Sequence, residues 1–229
     1  MQSKWVDELL SCLRLKPKKL AFRVVVMPDF FIDRLATYEG DIAEFSKAVA
    51  EVAGRRGGAI HEVKQTELRG GNAANTAAAL AALGVKVYPI ISTSPLGLHL
   101  LKFYLEPSRV DLSHVKTSGK ESLTTALELL YQGERVNVMM GDLGSLPNFG
   151  SGDLSKEDFR LLQTASCVCV FNWASTRRWG TELASTVFHF VKEKGKGKTY
   201  YDTGDPSPNL KEVPKLVKNV LLKGIVDVF

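Results

Sequence analysis

The densest chemistry in this sequence lies in GGNAANTAAALAALG, residues 70–84. Gly70 and Gly71 allow a backbone to approach a ligand with no Cβ in between. Asn72 is a good helix N-cap, and Asn75, three residues on, shares its face of the first turn. A helix opening there presents free backbone N–H groups and two carboxamides in one direction, a polar cradle for hydroxyls or an anion. The same residues also describe a capped, alanine-rich packing helix after a tight turn. Upstream, Asp33 follows the apolar run AFRVVVM, residues 21–27, and an acid past the carboxyl end of a buried strand stands where α/β proteins place ligands. Asp29 is its rival in the same loop. The dinucleotide fingerprint G-x-G-x-x-G and the phosphate loop G-x-x-x-x-G-K-[ST] are both absent.

The elements that must position these residues follow from periodicity. AFRVVVM is a continuous β-branched run that stops at Pro28, as expected of a strand buried on both faces. Residues 41–53 place Ile42, Phe45, Val49 and Val52 on one helical stripe and close on the turn GRRGG. Residues 58–71 predict a short strand region, 72–83 a helix ended by Gly84, and VKVYPIIST a further buried strand. A helix near 97–106 follows, and TTALELLYQGERVNVMM predicts a hairpin turning at Gln132-Gly133. CVCVFNW predicts a strand, 181–194 a helix, KTYYD a strand, and VPKLVKNVLLKGIVDVF a helix running into one more strand. Helices alternating with apolar strands predict an α/β fold: a doubly wound, mostly parallel sheet with helices on both faces. The hairpin breaks that alternation and is expected to form a small β lid around residues 118–141. Residues 1–20, with Trp5, Leu9, Leu10 and Leu13 on one stripe, are expected to be a helical extension preceding the 21–229 domain. A buried strand stopping at Phe229 suggests a domain incomplete at its C-terminus.

Composition excludes several classes. Of 229 residues, 24% are charged and 45% hydrophobic, ordinary globular usage that rules out disorder for the bulk of the chain. No uncharged apolar run reaches membrane-spanning length, and the N-terminal residues lack a signal-peptide core, so a cytoplasmic protein is expected, with no membrane partner. The net charge of +5 invites nucleic acid, but the basic residues are scattered apart from residues 16–19, Arg177-Arg178 and residues 192–198. No aromatic-interleaved basic segment accompanies them, so no nucleic-acid partner is expected. Cys167 and Cys169, two apart on a strand, fall on one face as buried thiols, and Cys12 has no evident partner. His61, His99, His114 and His189 show no ligand or base pattern.

The glycine pair, the Asn and the Ala-rich helix ending in Leu-Gly closely resemble the first signature of the ribokinase/PfkB carbohydrate kinases. VVVMPDFFIDRL resembles that family's first strand and the Asp a few residues on. The resemblance runs from about Ala21 to Phe229. It implies a ribokinase-like α/β domain with a β lid over the sugar, and phosphorylation of a sugar or nucleoside hydroxyl with ATP and Mg²⁺ as cofactors. Carried over residue by residue, Asp33 matches the acid that binds a pair of sugar hydroxyls, and Gly70 and Gly71 the glycines that approach the sugar. Asn72 and Asn75 match hydroxyl-binding positions, and Asn172 lies near a position that reaches substrate. Arg135 and Asn137 on the hairpin are further candidates for the substrate's far end.

Departures from the family pattern sharpen the expectation. The Gly-Ala-Gly-Asp segment that supplies the family's general base and anion hole is absent, as is the Asn-x-x-Glu magnesium motif. DTGDPSPN, residues 202–209, resembles instead a mid-chain loop beside the site. ISTSPLG stands where the family often carries Gly-Asp-Asp. This chain is therefore expected to supply the substrate-binding part of a kinase and not to turn over alone. The alternatives are a non-catalytic sugar- or nucleoside-binding homologue and an unrelated nucleotide-binding oxidoreductase. Leu127, Leu129 and Tyr131 suggest an apolar lid face through which a homodimer forms.

Overall fold

A computed structural model describes Ser11 and residues 21–229 apart from Glu106. The helical extension expected over residues 1–20, and Cys12 with it, lie outside the described residues.

Two four-stranded sheets organise the chain. The central sheet is parallel throughout, in the order β4 (Lys86–Pro89), β1 (Arg23–Met27), β7 (Cys167–Val170), β8 (Lys198–Tyr201). Each strand is a short, largely apolar run, which is what burial between two helical layers requires. One face carries α2 (Asn72–Ala82) and α3 (Pro95–Tyr104), whose Ala73, Ala77 and Leu101 pack on Val24, Val26 and Val87. The other carries α4 (Lys156–Thr164), α5 (Gly180–Lys194) and α6 (Val213–Asn219) around Val25, Met27, Val168 and Val170. The doubly wound, mostly parallel sheet expected from the alternation is present. The last expected strand is reduced to a single parallel bridge, Tyr200 to Val228. Cys167 and Cys169 are free thiols on one face of β7, their sulfurs 3.7 Å apart.

The lid is larger than the hairpin expected around 118–141. It comprises β3 (Lys64–Gly70), β2 (Phe31–Asp41), β5 (Ser122–Tyr131) and β6 (Glu134–Asp142), in that order. β5 and β6 join at Gln132-Gly133, both with positive φ (52° and 82°), the geometry a two-residue hairpin favours. The eleven residues of β2 read as a loop in sequence because Asp33, Arg34 and Glu39 interrupt their apolar positions. Antiparallel pairing with β3 and parallel pairing with β5, 91 residues away at Thr37–Glu128, make them a strand.

The helix α1 (Ile42–Gly54) is opened by a capping box in which Asp41 accepts from the Glu44 N–H and Glu44 accepts from the Asp41 N–H. Its Phe45 packs on Tyr38 with ring centroids 5.2 Å apart, within a small cluster holding Ala36, Leu127, Leu129 and Val136. Leu127 and Leu129 are therefore buried inside the protein, which corrects the expectation that they form an open dimer face.

Candidate active site

Four segments meet at the carboxyl ends of β1, β7 and β8. Asp29, two residues past β1, is fully buried. Its carboxylate accepts hydrogen bonds from the Asn72 N–H (2.8 Å), the Ala73 N–H (2.9 Å) and Nδ2 of Asn172 (3.0 Å). These are the first amides of α2, so Asp29 caps that helix from the segment after β1 and fills its positive end. Two expectations are corrected. Asn72 is the first helical residue, not the N-cap; the cap is Gly71, at φ 89°. The N-terminal amides of α2 are also not free, because a protein carboxylate already occupies them. Burial raises the Asp29 carboxyl above its ordinary value, with the three donors pulling it back.

Asp33 lies on the lid strand β2 and not in a loop, and it is half-buried. Desolvation raises its carboxyl, a hydrogen bond with the Thr124 side chain opposes this, and the nearby Asp29 charge adds to the rise. Its neighbour in space is Gly70, where a Cβ would stand 2.1 Å from Asp33 Oδ2. At Gly71 a Cβ would meet the Phe30 Cα at 2.9 Å and the Asp29 carbonyl oxygen at 3.0 Å. The glycine pair therefore makes room for protein groups first, and the surface it leaves open is floored by Asp33.

The two carboxamides of the motif diverge. Asn72 Nδ2 donates to Asp202 Oδ2 at 3.3 Å, bringing the loop after β8 to the site. Asn75 Oδ1 accepts from Nε of Arg69 at 2.9 Å, so it ties α2 to β3. Asn172, at φ 53°, is the first residue but one beyond β7 and spends its amide on Asp29. Arg135 is engaged by Glu39 at 3.2 Å, and Asn137 pairs with Glu128 well along the lid from Asp33. Thus Asp33, Gly70, Gly71 and Asn72 come together, while Asn75 and Asn172 act as supports.

Sequence reasoning missed Thr124, and it placed the Asp202 loop beside the site without making Asp202 a candidate. Thr124 pairs with Asp33 across β2 and β5, a register no local pattern shows. Asp202 stands at the carboxyl end of β8, where position alone makes an acid a candidate. Among the described residues no group of three or more His, Cys, Asp or Glu could hold a metal ion. A cavity of about 520 Å³ lies along α5 away from these residues, whereas one of about 280 Å³ is lined by Tyr201, Asp202 and Thr203.

No family model matches the sequence, and no curated protein matches it. Solved structures do. Ribokinase of Arabidopsis thaliana, complexed with ribose and ATP, matches with a TM-score of 0.61 at 18% identity, over 81% of this chain and 54% of its own. A probable sugar kinase from Rhizobium etli matches at 0.64 and 18%, over 91% and 64%. The fold is that of the ribokinase-like carbohydrate kinases. Fructokinase from Vibrio cholerae, at 0.59 and 15% over 91% and 63%, shares it. The chain spans between about half and two thirds of these structures' length.

Proposed function

We propose that the complete protein transfers a phosphoryl group from ATP to a hydroxyl of a small sugar or nucleoside, this chain supplying the part that holds the alcohol. The observation that carries the reading is Asp33, a half-buried carboxylate on a lid strand, set against Gly70, the last residue of β3, where the lid leads into α2. A carboxylate accepts two hydroxyl hydrogen bonds at once, and charge-assisted ones are the stronger kind. Gly70 and Gly71 let the sugar ring approach the backbone, and Asn72, free to offer its carboxamide oxygen while Nδ2 holds Asp202, supplies a further polar group. The ribokinase neighbour is complexed with ribose and ATP, which supports the substrate class.

ATP and Mg²⁺ belong to the activity of the complete protein. At the α2 amino end there is no room for a phosphate, because Asp29 already accepts from the Asn72 and Ala73 N–H groups. The reading for this chain is therefore recognition of the alcohol, and the 229-residue chain alone is expected to bind without turnover. That same observation favours one second reading, a sugar- or nucleoside-binding homologue that never transfers phosphate.

The test is calorimetric titration of ribose, fructose and adenosine into the chain and into its Asp33→Ala variant. Binding that falls at least tenfold in the variant, with an unchanged melting temperature, is the expected result. Equal affinity in both proteins, or no binding of any of the three, removes Asp33 as the recognition group. ADP release on adding ATP and Mg²⁺ to the chain would show that it holds more of the kinase than proposed.

A further inference from the structure

We propose that the Asp33 cradle accepts an uncharged polyol and rejects sugars bearing a phosphate or carboxylate, because the protein has placed its own anion where such a group would be held. This rests on the substrate-binding reading above and narrows its substrate class.

Anions are held in folds of this kind by the amino end of a helix and by free cations. At the amino end of α2 the Asn72 and Ala73 N–H groups are already taken by Asp29, which is completely buried. Beside it stand Asp33 and Asp202, the latter bonded to Asn72. On the lid, Arg34 pairs with Glu67, while Lys64 and Arg135 share Glu39. Arg69 has no acidic partner among the described residues, but it pairs in register with Ile32 and so lies on the opposite face of the sheet from Asp33, where its Nε donates to Asn75 Oδ1. Lys120 in the connector pairs with Asp142. The segments at the sheet's carboxyl edge, residues 28–30, 90–94 and 202–206, contain no Lys or Arg. The segment 171–179 contributes Arg177 and Arg178, and Arg178 stacks on Trp179, 5.2 Å from the ring centroid. Arg177 is exposed and makes no ion pair among the described residues. An incoming phosphate therefore finds the α2 amides taken and meets the Asp33 carboxylate in a partly desolvated site, where like charges repel more strongly than in water.

The experiment compares ribose, fructose and adenosine with ribose 5-phosphate, fructose 6-phosphate and adenosine 5′-monophosphate by titration calorimetry, on the 229-residue chain. At least one uncharged ligand is expected to bind, with its phosphate ester at least tenfold weaker. Asp29→Asn, checked for fold by circular dichroism, is expected to narrow that gap by neutralising the internal anion. Arg177→Ala, an exposed change that keeps the fold, is expected to leave the gap unaltered. An ester that binds as tightly as its parent sugar, with binding lost in Asp33→Ala, overturns the charge selectivity and leaves the recognition reading standing. Ester binding that disappears in Arg177→Ala overturns it as well, and names the cation responsible. Absence of Asp33-dependent binding by either set brings down the recognition reading and this inference together.

Discussion

Gly70 and Gly71 are adjacent, and they are glycine for different reasons. At Gly70 the backbone sits in a region any residue adopts, and the obstruction to a side chain is the Asp33 carboxylate, a group that can swing aside. At Gly71 φ is 89° and the obstruction is the backbone of residues 29 and 30, which cannot. Gly70→Ala is therefore expected to cost about 1 kcal/mol, the usual size for a point substitution, while displacing Asp33 and weakening sugar binding at least tenfold. Gly71→Ala is expected to cost about 1–3 kcal/mol in stability from the strained backbone alone. Scanning calorimetry and sugar titration on both variants separate the two; a Gly70→Ala protein with full affinity would show that Asp33 is not the group recognising hydroxyls. Asp29 and Asp33, rivals in the sequence, divide the work in the same way: the buried one builds the helix end, the half-buried one faces outward.

At the scale of elements, α4 is joined to the segment that leads into the lid through one buried carboxylate. Asp158, the third residue of α4, is wholly inaccessible and accepts from Lys116 Nζ at 2.5 Å and from the Ser155 N–H at 2.7 Å, with His114 Nδ1 at 2.6 Å. Desolvation pushes its carboxyl up, but Lys116, Ser155 and His114 together outweigh that and leave it below the ordinary value. A group whose folded-state value is lowered contributes stability that is present above its unfolded value, 3.8, and is lost as pH falls through the folded one. Asp158→Ala is expected to cost about 3–5 kcal/mol at neutral pH, because it strands Lys116 in a partly buried position. Denaturant unfolding at pH 7 and over the range below 4 checks both statements. Wild type should lose this increment on acidification, whereas the variant should have none to lose; identical acid profiles would remove Asp158 as its source. β2 shows the other side of element formation: Phe31, Ile32, Thr37 and Tyr38 favour a strand while Asp33, Gly40 and Asp41 do not, and its ladder to two distant partners decides the matter.

For the whole molecule, the lid is the exposed part. One face is covered by α1, and the other, on which Asp33 lies, carries Leu68 and Met139 at 48% and 68% exposure. Such a face on a sheet of four strands is a candidate for self-association. We propose a homodimer through this face, in place of the one expected through Leu127 and Leu129. Sedimentation velocity is expected to show a dimer that Met139→Glu converts to monomer. A wild-type chain that stays monomeric at every accessible concentration would exclude it.

Much of the frame was legible in the residues. The continuous run in β1, the alanines of α2 and the Gln132-Gly133 turn are local signals, because a strand buried on both faces, a helix former and a positive-φ pair each act within a few residues. On the same local grounds the glycine-glycine-asparagine motif read as a cradle for hydroxyls or an anion, and it was the family resemblance that assigned hydroxyls to Asp33. What only the tertiary structure decided is long-range. Asp29 caps a helix 43 residues away, Asn172 spends its amide on that carboxylate, and Thr124 meets Asp33 across two strands. Those pairings bring together residues whose separation along the chain carries no periodicity. They turned an apparently open anion cradle into one already filled, because a buried carboxylate satisfies the α2 amides more fully than solvent can.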